Sequence, residues 1–148
     1  MNKIIRKKNL IIIPSSQLYL AKVDDFVEKK LKKLGLDKDQ LADVAISATE
    51  AVNNAIVHGN KNDPRKKVII RLKADKSSIT IEVEDEGKGF NLNSLPCPIT
   101  EENLLKEVGR GIFIVRSLMD KVDFTFKKEG GTVVSLTKYL KKDKKSKR

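Results

Sequence analysis

The stretch Ile46–Asn60, ISATEAVNNAIVHGN, constrains the fold more than any other part of the chain. At about 100° per residue it reads as a helix with two different sides. Leu41, Val44, Ala45, Ala48, Val52, Ala55 and Ile56 gather on one of them, and Asp43, Ser47, Glu50, Asn54 and His58 on the other. The apolar side demands a core. The polar side lacks the long Lys and Glu of an ordinary solvated face and offers a hydroxyl, a carboxylate, an amide and an imidazole. Glu50 and Asn54 are one turn apart, so both reach the same small object. Their oxygens suit a hard cation such as Mg²⁺ with its water shell. A solvated face ending in an Asn-rich fray is the plain alternative, and the glycines further along the chain decide against it.

The elements around this helix follow from periodicity and punctuation. Asn9–Ile13 is a short apolar strand ended by Pro14. Ser15 or Ser16 caps a first helix with the stripe Leu18, Leu20 or Ala21, Val23, Phe26, Val27, Leu31 and Leu34, and Gly35 stops it. Asp37 or Asp39 caps the second helix, which ends near Gly59. After a Pro and Asn/Asp turn at Lys61–Lys66, Lys67–Ala74 and Ile79–Asp85 alternate as the strands of a hairpin. Val122–Phe126 and Thr132–Tyr139 form another around Glu129-Gly130-Gly131.

Register singles out Asp85. The inward set Ile79, Ile81, Val83 continues onto it, and a carboxylate at the core-facing end of a strand is expensive unless it is paired. Glu86-Gly87-Lys88-Gly89-Phe90 follows at once, with glycines that permit close approach of a ligand. An outward-swung Asp in a strand-end turn is the bland reading. Asn91–Val108 has no strong period and has the length of a binding loop, with one or two helical turns over Thr100–Lys106. Gly109-Arg110-Gly111 then opens a helix over Ile112–Met119, and a glycine pair at a helix start favours phosphate.

Size and composition exclude several classes. The chain has 148 residues, 39% hydrophobic and 34% charged, which suits a single globular domain over residues 1–140. No apolar run has the length of a membrane span, and the N-terminal apolar segment is too short for a secretory signal. A lone cysteine, Cys97, forms no internal disulfide, so a cytoplasmic location is expected. Of the net charge of +11, the run Lys138–Arg148 supplies +6, so residues 141–148 read as a basic, disordered tail. Neither nucleic acid nor membrane is expected as a direct partner. The chain has no G-x-x-x-x-G-K-[ST] and no G-x-G-x-x-G between a strand and a helix, so P-loop and dinucleotide folds are out.

The boxes E50-A-V-N-N-A-I-V-H-G, D85-E-G-K-G-F, G109-R-G-I-F and G131-T-V-V, in that order, resemble the GHKL (Bergerat, HATPase_c) ATP-binding fold. The short chain and the wording H58-G-N-K-N-D-P are most similar to the bacterial anti-sigma-factor serine kinases. The resemblance covers about residues 9–140. It implies an α/β (α+β) two-layer sandwich: a mixed, mostly antiparallel sheet with helices on one face. It also implies use of ATP and Mg²⁺. Glu50 would be the general base and Asn54 the Mg²⁺ ligand, with Asn53 beside the nucleotide. Asp85 would accept the adenine amino group, with Gly87 and Gly89 letting the loop approach the base. Gly109, Arg110 and Gly111 would meet the phosphates, and Thr132 would close the adenine pocket. The implied partners are a STAS-domain anti-anti-sigma protein as substrate, a sigma factor, and a second copy of the chain.

One departure stands out. Kinases of this kind can carry an Arg just before the second glycine box, where this chain has Lys106-Glu107-Val108. Lys106 or Arg110 is the available substitute. Without one, ATP binding survives while phosphoryl transfer weakens. That leaves an ATP-gated, non-catalytic binding protein as the second reading. A histidine-kinase catalytic domain is the third and least favoured, because the only histidine, His58, lies inside the first box and a phosphoacceptor histidine would have to lie on another chain.

Overall fold

The computed structural model describes residues 4–87 and 110–140. Expectations that fall on Gly89, Cys97, Lys106–Val108, Gly109, the loop over 91–108 and the tail 141–148 lie outside the described residues. The strands are β1 (Ile5–Lys7), β2 (Leu10–Pro14), β3 (Lys67–Ala74), β4 (Ser78–Glu84), β5 (Lys121–Phe126) and β6 (Thr132–Tyr139). The helices are α1 (Leu20–Lys33), α2 (Lys38–Asn54) and α3 (Arg110–Leu118). The strands join in the order β1-β2-β3-β4-β6-β5, and every pairing is antiparallel.

Alternation builds the sheet. Ile11, Ile70 and Val83 stand side by side across β2, β3 and β4, and Leu72, Ile81 and Leu136 across β3, β4 and β6. All six are buried, and they join one cluster with Val23, Phe26, Val27 and Leu31 of α1 and Val44, Ala48 and Val52 of α2. The helices therefore lie on this one face, which is the expected two-layer sandwich. The opposite face carries charge: Arg71 and Lys127 both reach Glu84, and Lys73 reaches Glu82. Each buried Ile or Val is worth about 1.5–3 kcal/mol, so the clean alternation of β3 and β4 fixes which face is inside.

The caps also follow from the sequence. Asp37 accepts the Gln40 N–H at 2.7 Å at the start of α2. Gly35, at φ +76°, ends the turn after α1. Three details differ from expectation. Leu34, expected in the stripe of α1, is its C-cap and is 43% exposed, because the helix has ended by then. Leu18 is 87% exposed, because Ser16 caps a short 3-10 turn, Gln17–Tyr19, that precedes α1 and sets Leu18 out of phase with its stripe. β1 is an added strand, since its exposed IRK has no alternation and is a strand only through pairing with β2.

Helix α2 touches α1, α3, β4 and β6, so it sits centrally in the helical layer. Lys138, at the end of β6, pins that arrangement. Its ammonium donates to Asp43 of α2 at 3.0 Å and to the Leu118 carbonyl of α3 at 2.6 Å. The basic run of the sequence therefore begins inside the fold, at a residue whose side chain is only 14% exposed. With the far end of α3 held beside Asp43, its first turn lies beside the end of α2.

Candidate active site

The first half of the site is where α3 begins. A Cβ built on Gly111 would stand 2.9 Å from both Glu50 Oε2 and Asn54 Nδ2. A residue without a side chain lets the first described turn of α3, at the positive end of the helix dipole, lie directly against a carboxylate and an amide. Among the described residues Asn54 Nδ2 is buried with no hydrogen-bond partner, as is the hydroxyl of fully buried Ser47 two turns back. An unsatisfied buried amide group costs roughly 1–3 kcal/mol, which a polar ligand at this junction relieves. Asn53, next along α2, accepts a hydrogen bond from Gln17 Nε2 at 2.8 Å. The polar side of α2 thus divides. Asp43 is structural, Ser47 is enclosed, and Glu50 and Asn54 meet the glycine start of α3.

The second half surrounds Asp85, which is 6% exposed. Its Oδ1 accepts the Gly87 N–H at 3.0 Å and the Thr132 N–H at 3.1 Å, and its own N–H donates to the Thr132 carbonyl. Among the described residues no donor bonds to Oδ2. Burial pushes the carboxyl above the ordinary aspartate range, against the pull of the two N–H groups and of Lys127. Asp85 is therefore a desolvated acceptor that favours a hydrogen-bond donor. For neighbouring Glu84, burial also raises the pKa, but the bonds to Lys127 and Arg71 outweigh it and hold the carboxylate below its usual range.

The two halves are joined by a feature that periodicity does not reveal. After Asn54 the helix widens into one turn of π-helix, Ala55–Gly59, closed by Asn60 N–H to the Ala55 carbonyl at 2.8 Å. Such turns often mark functional positions. This one runs from Asn54 at one half to Gly59 at the other. A Cβ on Gly59 would fall 2.3 Å from Asp85 Oδ2, one on Gly87 would fall 2.1 Å from the Gly59 carbonyl, and one on Gly131 would fall 2.5 Å from the Asp85 carbonyl. Three glycines from three segments thus close on Asp85.

Of the residues singled out by sequence, the structure brings Glu50, Asn54 and Gly111 together, and Asp85, Gly87 and Thr132 together. Arg110 supplies the first backbone position of α3. Gly59, Gly131 and Asn60 are additional site residues. Their signal was a glycine before a turn, a glycine pair in a hairpin and an Asn in a turn. Contact with Asp85 is not local information, so spacing does not reveal it.

Among the described residues no three His, Cys, Asp or Glu side chains cluster around a common point. Mg²⁺ typically takes one or two protein oxygens and completes its shell with water and phosphate. Glu50 and Asn54, side by side, offer a carboxylate and an amide oxygen that fit that kind of site, and the Asn54 Nδ2 donor suits a phosphate or water oxygen beside it.

Comparison with known proteins gives this geometry a class. The profile of the histidine kinase-like ATPase domain matches residues 13–138. The serine-protein kinase RsbW of Staphylococcus aureus is 32% identical over 138 residues, which is 88% of this chain and 86% of that protein. The chain therefore belongs to the histidine kinase-like ATPase family and, within it, to the serine-protein kinases of the RsbW type. The fold recurs in the RsbU and RsbW domains of a Mycobacterium tuberculosis protein, at TM-score 0.65 and 19% identity over 88% of this chain. The match spans 31% of that longer chain. It recurs again in the SiaB–SiaC complex of Pseudomonas aeruginosa, at TM-score 0.60 and 14% identity, covering 94% of this chain and 90% of that one. No helix among the described residues is long and apolar enough to cross a membrane.

Proposed function

We propose that this chain transfers the γ-phosphoryl group of ATP to a serine of a STAS-domain anti-anti-sigma protein, and that it sequesters a sigma factor when that partner is absent. The observation that supports the reading is the seating of Gly111 against both Glu50 and Asn54, so that a carboxylate, an amide and a glycine-bearing helix turn meet at one point. Glu50 accepts the proton of the serine hydroxyl as its oxygen attacks the γ-phosphorus. The bond from that phosphorus to the bridging oxygen breaks, and ADP leaves. Asn54 holds Mg²⁺, which when bound neutralises charge on the phosphate oxygens. The N–H groups at Gly109, Arg110 and Gly111 bind phosphate, with Asn53 alongside. Asp85 takes the adenine amino group on Oδ2, Gly87 and Gly89 bring the loop to the base, and Thr132 closes the pocket. A cytoplasmic homodimer completes the reading.

The test uses γ-labelled ATP, Mg²⁺ and a panel of STAS-domain proteins from the same genome. Label appears on one serine with the wild type. Glu50→Gln abolishes transfer while leaving nucleotide affinity within about tenfold, as for a group acting in the chemical step. Tight nucleotide binding with no label on any panel member would replace this reading with the ATP-gated binding protein, and Lys106-Glu107-Val108 would be its explanation.

A further inference from the structure

The motif His58-Gly-Asn-Lys-Asn-Asp-Pro has no part in the chemistry above, yet it is densely bonded to the segments around it. Asn60 has zero exposure. Its Nδ2 donates to Ser15 Oγ at 2.6 Å and to the Lys67 carbonyl at 2.9 Å, while its Oδ1 accepts the Glu86 N–H at 2.8 Å. One side chain thus ties the end of α2 to the end of β2, the start of β3 and the residue directly after Asp85. The Glu86 carboxylate returns a second tie by accepting the Lys67 N–H at 2.7 Å.

The turn itself is held in an unfavourable shape. Lys61 and Asn62 have φ of +53° and +58°, a region that costs a residue such as lysine roughly 1–2 kcal/mol and asparagine less. Such strain persists where the surroundings over-determine it. Here Asn62 N–H reaches the Ile56 carbonyl, Asp63 N–H the Asn60 carbonyl and Lys66 N–H the Asp63 carbonyl. The strained pair turns the chain immediately after Asn60, whose amide then faces three segments at once.

We infer that Asn60 is a positioning residue for base recognition, fixing the Asp85–Gly87 turn relative to the Asn54 end of α2 through its bond to the Glu86 N–H. The inference rests on the reading of Asp85 as the adenine acceptor. Gly59 and Gly87 are the steric half of the device, since their lack of side chains lets the π turn and the Asp85 turn touch. Asn60 is the polar half. Without it, the Glu86 N–H loses its partner and the Asp85–Gly87 turn, with the carboxylate it carries, loses its tie to the end of α2.

The experiment compares ADP with inosine diphosphate, binding to the full chain with Mg²⁺, by calorimetry. The two ligands share ribose and phosphates and differ on one edge of the base, where inosine presents an oxygen at position 6 in place of the amino donor and carries a proton on N1. Wild type should prefer ADP. Asn60→Ala, or Asn60→Ser if the alanine variant does not fold, should weaken ADP binding and leave inosine diphosphate nearly unchanged, so that the preference falls about tenfold. Val27→Ala, a core truncation in α1, should lower stability without moving the preference. Equal weakening of both ligands by Asn60→Ala, or an unchanged preference, would overturn the assignment of Asn60 alone. A wild type that bound neither ligand, or bound both equally, would overturn the reading of Asp85 on which it depends.

Discussion

Asp85 illustrates how a single buried carboxyl can be held at a cost to stability. Its carboxyl titrates above the ordinary aspartate range in the fold, so as pH rises the unfolded chain ionises first. The ligand-free protein therefore loses stability as pH rises through the interval from the ordinary aspartate pKa to the folded one, and is not compensated above it. Asp85→Asn keeps an oxygen for the Gly87 and Thr132 N–H groups and removes this loss. Thermal unfolding without nucleotide should show the Asp85→Asn variant at least as stable as wild type at pH 7, while ATP no longer raises its melting temperature. A large drop in ligand-free stability would make Asp85 structural. The glycines separate in the same way. Gly111→Ala presses only on the side-chain ends of Glu50 and Asn54, so stability should change by less than about 1 kcal/mol while phosphotransfer falls tenfold or more. Gly131→Ala presses on the Asp85 backbone at a φ of +104°, so unfolding in urea should show a loss of roughly 2–4 kcal/mol.

At the scale of elements, the site depends on how α3 is held against α2. Buried Val115 and the adjoining Met119 seat it on the core, and Lys138 ties its far end to α2 through Asp43 and the Leu118 carbonyl. Lys138→Met leaves Asp43 without its partner and should destabilise the protein by about 1–3 kcal/mol, measured by urea unfolding. The turnover of the kinase reaction should fall further than ATP affinity, because Asp85 sits on different elements. The helices and hairpins were legible beforehand because each is amphipathic with its own period, from Val44–Val52 in α2 to Val68–Leu72 in β3. The π turn and β1 were not. A π turn keeps the composition of the helix it interrupts, and β1 exists through its neighbour's backbone.

For the whole molecule, an antiparallel sheet backed on one face by α1, α2 and α3 brings together segments that are distant in the chain. Residues 50–60, 85–87, 110–111 and 131–132 meet along one end of α2. The chain's boundary is set by the same packing. Removing residues 141–148 should leave the melting temperature and nucleotide affinity unchanged. Removing residues 138–148 takes away the last part of β6 and the pin on Asp43, and should unfold the protein at about 37 °C, as loss of a buried network does in a marginally stable fold. A truncation at 140 that abolished phosphotransfer would give the basic end a role in the reaction.

Sequence alone determined what depends on local chemistry: a two-faced helix carrying Glu50 and Asn54, two hairpins, the capping Asp37, the stop at Gly35, and a carboxylate at the inward end of a strand. Those features follow from periodicity and from the backbone preferences of single residues. The boxes, read in order, also identified the ATP-binding fold. Tertiary structure decided the rest. It placed Gly111 on Glu50 and Asn54, closed Gly59, Gly87 and Gly131 around Asp85, and gave Asn60 three partners on three segments. It also moved Lys138 from a solvated run into the fold. The physical reason is the same each time. These contacts join positions as many as 95 residues apart, as Lys138 and Asp43 are. No spacing rule carries such information until a sheet register and a helix packing have fixed where every segment lies.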